Sequence, residues 1–399
     1  VSEERPLRIA LCTASVGHGH TRAAHAIADA LRQSRPDATV EIVDALASAT
    51  AWFVMAYRDA YLAGCARVPA AAGWLYAATD RAPRGGRGAW LEEFALRDFV
   101  RGPEVSRADA VVCTHFLCGR VLSAARGRGE LEAPLTICVT DQHPHGVWLA
   151  PRADRVLVAS ERARETAVRA GMPEERIGVT GIPIDVRFST RMGRAEARRA
   201  MGLPADRPIV LVSGGGLGLG GMEGTVRGLA ACGREIHVVA ICGHNQGVRN
   251  ALMPLACAPG AGRASCDVFG FTDHMPTMMR AADVMIGKPG GLSTAEALAS
   301  GLPMVLIRPI PGQEERNAAL LVGHGAAVLE RDPRRAAGVA VEVLMSEGRL
   351  REMGAACRAV GRADSAMRAA GEVLGTIGAS AVRVRDVEGA GAAGGLAMA

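Results

Sequence analysis

The sequence predicts two doubly wound α/β domains with parallel sheets, facing each other across a cleft. Three observations carry that expectation. The strand-like runs are continuously apolar, as strands covered on both faces are. They alternate with helical patterns in two successive series. Each series opens on a glycine-rich turn between its first strand and first helix. The length, 399 residues, suits two domains, and 49% hydrophobic residues suffice for two cores.

The first series begins with a strand at 7–14, a helix at about 20–34 and a strand at 39–43. A helical stretch from about 45 to 100 follows. Strands then read at 110–113, 135–140 and 155–159, a helix at 160–170, and a short strand at 177–179. The second series starts at 208–213 and continues with strands at 236–242, 266–269, 284–286 and 304–307. The turn-rich Gly202-Leu-Pro-Ala-Asp-Arg-Pro208 lies near the boundary. The expected domains are 1–190 and 191–376. Residues 377–399 lack periodicity and are expected to be disordered.

Composition removes several function classes. Net charge is +5, far below that of a nucleic-acid-coating protein, so no nucleic-acid partner is expected. Lys288 is the only lysine, and Gly287-Lys288-Pro289 is not the GK[ST] of a phosphate-binding P-loop. The ten cysteines form no C-x-x-C and sit mostly in apolar runs, reading as buried hydrophobes in a reducing compartment. No apolar run is long enough to span a membrane as a helix, and no secretory leader is seen, so a cytoplasmic location is expected.

The first glycine turn is Gly17-His18-Gly19-His20. An imidazole at a strand–helix turn can reach a cleft as a base, which makes His20 the candidate. The second turn, Gly214-Gly215-Gly216-Leu217-Gly218 through Gly221, spells a dinucleotide fingerprint but lacks the acid that should end the next strand. Binding of a diphosphate at the helix start needs no such acid. A longer signature follows: Gly270-Phe271-Thr-Asp-His-Met275, then Gly287-Lys-Pro-Gly290-Gly291-Leu292-Ser293-Thr-Ala-Glu296, then Pro311-Gly312-Gln313-Glu314. Here Ser293 starts a helix able to hold phosphate. Glu296 lies where a carboxylate can accept from a ribose diol, and Gln313 and Glu314 can read sugar hydroxyls.

Together these motifs resemble the monogalactosyldiacylglycerol synthase family, which includes bacterial diacylglycerol glucosyltransferases, and more distantly the N-acetylglucosaminyltransferase of peptidoglycan lipid-precursor synthesis. The resemblance runs over about residues 7–365 and includes Thr140-Asp141-Gln-His-Pro-His145-Gly-Val-Trp148. It implies a GT-B fold and inverting, metal-independent transfer from an α-linked UDP-hexose to a lipid, most simply diacylglycerol, with no cofactor. UDP would lie on the second domain, held by Gly214, Gly215, Gly216, Gly218, Phe271, Met275, Gly290, Gly291, Leu292, Ser293 and Glu296. Gln313 and Glu314 would hold the sugar. His20 or Asp141 would be the base, with His145 as partner; His20 is preferred because an unperturbed imidazole titrates near neutrality. The acceptor would meet Gly17, Gly19 and Trp148. All three tyrosines and three of four tryptophans lie between 52 and 90, interleaved with arginines. Trp52, Tyr57, Trp74, Trp90, Arg81, Arg84 and Arg87 are therefore expected to dock on an anionic inner leaflet. A polyprenyl-linked or specialised lipid acceptor, a UDP-sugar epimerase and a non-catalytic UDP-sugar sensor are the alternatives.

Overall fold

A computed structural model describes residues 5–16, 18–59, 80, 89–216, 218, 221–257 and 264–378. Gly17, Trp74, Arg81, Arg84, Arg87 and the tail from 379 lie outside the described residues.

The first sheet holds strands β1 (Arg8–Thr13), β2 (Thr39–Asp44), β3 (Ala110–Cys113), β4 (Leu135–Cys138), β5 (Arg155–Val158) and β6 (Ile177–Val179), all parallel, in the order β2-β1-β3-β4-β5-β6. The second holds β7 (Ile209–Ser213), β8 (His237–Ile241), β9 (Ser265–Phe269), β10 (Val284–Gly287), β11 (Met304–Leu306) and β12 (Ala327–Leu329), in the order β12-β11-β10-β7-β8-β9. Eleven of these strands stand where the apolar runs predict them. The twelfth, a three-residue run with no alternation, was not expected; its pairing with β11 makes it a strand.

Strand residues are apolar without a break because neighbours feed opposite cores. Ile9 and Leu11 enter one core of the first domain, and Ala10 and Cys12 enter the other. Ile209 and Leu211 likewise part from Val210 and Val212 in the second.

Six helices matter for the site: α1 (Gly19–Ser34), α2 (Phe116–Gly127), α3 (Met222–Ala230), α4 (Gly291–Ala299), α5 (Gln313–Gly323) and α6 (365–378). The expected second domain ran to 376, yet α6 buries Ala366, Ala369, Ala370 and Val373 with Ile9, Leu11 and Ile27 of the first. Its small residues allow close packing on α1 and the sheet. Chain order continues the second domain, but the apolar face of α6 completes the first.

Strand order reverses between β1 and β3 and between β7 and β10. Ligands bind open α/β sheets beyond the strand ends at such points. The two crevices face each other, and both glycine turns open into them.

Candidate active site

On the first domain the crevice is lined by the β1–α1 turn and the residues just after β3 and β4. His20 is the second residue of α1. Its Nδ1 lies 3.0 Å from the Thr114 carbonyl oxygen and 2.7 Å from Thr140 Oγ1. A carbonyl can only accept, so Nδ1 carries the proton and Nε2 keeps its lone pair. The rings of His115 and Trp148 lie 4.6 and 5.9 Å from His20. Their enclosure removes water, and burial pushes the imidazole down to about 4. That reverses the reason for preferring His20 as base: its ordinary affinity for protons is lost on folding. His115 caps α2 by accepting from the Leu117 N–H (3.2 Å), and burial holds it far below its usual range as well.

Asp141 follows β4 and is buried. Oδ2 accepts from Trp148 Nε1 at 3.2 Å, and Oδ1 accepts from Gln313 Nε2 across the cleft. Burial raises the carboxyl to about 6, against the opposing pull of those two donors. Trp148 was expected to meet the acceptor or membrane. It is 2% exposed and orients Asp141 instead, because a large ring with one N–H is buried most cheaply against an acceptor. His145 is buried too. Its Nδ1 accepts from the Val147 N–H (3.1 Å), and Nε2 lies 3.8 Å from Asp80.

On the second domain, α4 has Gly290 at its N-cap with no side-chain cap, so no capping side chain occupies its first-turn N–H groups. Only glycine fits at 291: a Cβ there would run into the Thr140 carbonyl of the other domain. Gly218, at φ 59°, likewise lies against the Cys242 carbonyl, so a side chain does not fit at that position. Leu292 is buried beside Gly19, and Ser293 is half-buried in the first turn of α4.

Glu296 is 1% exposed. Its Oε1 accepts from Arg22 of α1 at 2.7 Å, while Oε2 is buried without a partner. Burial lifts this carboxyl to about 7, with Arg22 opposing. Glu314 Oε2 accepts from the Ile310 N–H (2.7 Å) and lies 3.3 Å from Lys288 Nζ, while Gln313 spans the cleft to Asp141. Phe271 is half exposed and stacks on His244 (4.6 Å), which stacks on His18 of the first domain (5.3 Å). Met275 lies in the second-domain core with Met278 and Met279, so its side chain is taken up by packing.

Residue-by-residue reading missed Arg22, Asp80, His115, Lys288, Arg308 and Arg316. Asp80 accepts from the Gly146 N–H (2.9 Å) and from Arg316 of α5 (2.7 Å), joining both domains. Arg308 takes a positive φ of 41°, and its guanidinium lies near the last glycine of the 214–221 turn. Lys288 carried a signal as the single lysine beside a glycine pair. The others carried none, since their partners are distant in sequence.

Residues 20–184 match the monogalactosyldiacylglycerol (MGDG) synthase family, and residues 209–344 match the glycosyltransferase family 28 C-terminal domain. The two halves of the chain are thus similar to those two families, and the whole has the GT-B fold.

A processive diacylglycerol beta-glucosyltransferase of Bacillus mycoides is 28% identical over 72% of this GT-B chain and 72% of its own length. One from Staphylococcus epidermidis is 28% identical over 58% of the chain, and the match spans 59% of that relative. Acinetobacter baumannii MurG superposes with a TM-score of 0.60 at 20% identity, covering 92% of this chain and 99% of that one. A UDP-N-acetylglucosamine 2-epimerase superposes at 0.58 and 13% identity, over 94% and 97%. The GT-B fold is therefore shared with transferases and epimerases alike, and the chemistry rests on the site.

Proposed function

We propose that this protein transfers a hexose from a UDP-hexose to the hydroxyl of a membrane lipid, diacylglycerol first, with inversion at the anomeric carbon. The observation that carries this reading is the meeting of Asp141 and Glu296 at one cleft. One is a buried carboxylate poised near neutral pH, and the other is a buried carboxylate with an oxygen open to a ligand. The names of the curated relatives supply the lipid and the sugar class.

Asp141 is the proposed base. Its proton affinity, raised to about 6, suits removal of a hydroxyl proton near neutrality. Trp148 and Gln313 each take one lone pair of the carboxylate and hold it in one orientation. His20 stays neutral and offers Nε2 as an acceptor that aligns the incoming hydroxyl. Departing UDP is met by the first turn of α4, the 214–221 turn and Lys288. These fixed dipoles and one cation stabilise the leaving diphosphate without rearranging. The proposal includes turnover without a metal ion, so activity is expected to survive chelation.

A membrane surface fits the short helices Ala51–Val54 and Ala89–Ala95, joined where the Thr50 N–H donates to the Ala95 carbonyl. Trp90 is 62% exposed, Phe94 54% and Met55 64%. Such rings beside arginine suit a headgroup layer, and we place the protein peripherally on the inner leaflet. No helix among the described residues is long and apolar enough to cross a membrane.

The test is mass spectrometry of lipids after incubation with UDP-glucose, UDP-galactose or UDP-N-acetylglucosamine and diacylglycerol in anionic vesicles. A hexosyl-diacylglycerol from one donor supports the reading and names the sugar. Conversion of UDP-N-acetylglucosamine without lipid would replace it by epimerisation. With UDP-hexose saturating, an acid limb in kcat near pH 6 would favour Asp141 as base, and one near 4 would favour His20.

A further inference from the structure

We propose that Arg22 is a positioning residue for the nucleotide. By pairing with Oε1 of Glu296 across the cleft, it keeps that carboxylate charged and turned so that Oε2 accepts from a ribose hydroxyl. The inference rests on the reading of Glu296 as the ribose-binding carboxylate, and adds that this group is completed only by the other domain.

The geometry is specific. Arg22 stands one turn into α1, and its guanidinium reaches Oε1 at 2.7 Å. Glu296 is enclosed, whereas Arg22 keeps about a third of its side chain exposed at the cleft. The second oxygen is buried and unpartnered, a costly state for a charged group unless a ligand completes it. No other titratable residue stands on α4 itself. From elsewhere Glu296 is faced by Asp185, which raises its proton affinity as Arg22 lowers it. Asp185 is held by Arg187 at 2.6 Å, and Arg187 in turn feels Asp29 and Asp273. Arg22 is thus the cation in direct contact with a carboxylate that burial pushes towards its neutral form.

Two consequences follow. Removing the positive charge lets Glu296 take a proton at neutral pH, which weakens its acceptance of a ribose hydroxyl. The effect fades as pH rises, because alkaline pH ionises Glu296 with or without Arg22.

The experiment is calorimetric titration of UDP into the full chain at pH 7 and pH 9, for wild type, Arg22→Gln, Arg22→Lys and Glu296→Gln. A one-unit rise in the Glu296 midpoint cuts its ionised fraction at pH 7 from about one half to about one tenth. Arg22→Gln should then bind UDP about fivefold more weakly than wild type at pH 7, and nearly as well at pH 9, where Glu296 is ionised in both. Arg22→Lys should restore wild-type binding at pH 7. Glu296→Gln should lose about tenfold or more at both pH values. Arg22→Gln binding like wild type at pH 7, with Glu296→Gln impaired, would overturn the role of Arg22 and leave the ribose reading standing. An equal loss at both pH values would also overturn it, since a mere packing contact has no such pH dependence. Wild-type binding by Glu296→Gln would remove the ribose reading itself, and the proposal with it.

Discussion

Replacing Asp141 with asparagine is expected to remove turnover while making the protein more stable as pH rises. Burial moves this carboxyl from 3.8 to about 6. At about 1.36 kcal/mol per unit, the ionised side chain costs the folded state about 3 kcal/mol at neutral pH. The folded form holds the proton more tightly than the unfolded one. Stability therefore falls as pH rises from about 4 to about 6; the penalty is absent below that window and complete above it. Asparagine carries no charge and escapes the penalty. Its oxygen can accept from Trp148 Nε1, and the Gln313 amide must turn round to accept from its NH2, a re-pairing that costs at most about 1–3 kcal/mol. That second effect is the same at every pH. The stability of Asp141→Asn relative to wild type should thus climb by about 3 kcal/mol between pH 3.5 and pH 7.5. Urea unfolding of both proteins across that range measures it. A difference that stays flat with pH would refute the claim that burial perturbs Asp141. In turnover the same variant should lose about 10²–10⁴-fold in kcat and still bind UDP, since the nucleotide pocket is untouched.

Gly291→Ala should drive a methyl into the Thr140 carbonyl and hold the domains apart; steady-state kinetics should show a kcat loss of about 100-fold, because small misplacements of reacting groups are costly. Arg198→Ala breaks a buried pair with Asp283 (2.7 Å), whose carboxylate also accepts from the Ile209 N–H. Arg194 still pairs with the other Asp283 oxygen (2.7 Å), so the loss should be about 1–3 kcal/mol, read as a lower urea midpoint. Trp90→Ala with Phe94→Ala should weaken co-sedimentation with anionic vesicles and leave UDP affinity unchanged; retained sedimentation would move the membrane contact elsewhere.

Some features were written in local sequence. Continuous apolar runs such as Ile209-Val-Leu-Val-Ser213 mark buried parallel strands, because both faces of the sheet are covered. Glycine turns mark places where a backbone must come close to something else, and Gly218 and Gly291 do so. Hence the two parallel sheets and the glycine turns at their first strands were legible from the chain alone. Other features depended on what the fold brings from afar. The proton affinities of His20 and Asp141 follow from how much water their neighbours exclude, and those neighbours come from other strands and, for Asp141, the other domain. Trp148 reads as one more ring for a membrane until its N–H is seen on Asp141. The α6 helix reads as the end of the second domain until its alanines are seen in the first core. Arg22 and Glu296 lie 274 residues apart, and no periodicity or spacing joins them. Local pattern sets which segments become strands and turns, since that depends on neighbours along the chain. Charge state and pairing in the cleft depend on neighbours in space, and only the closed tertiary structure determines those.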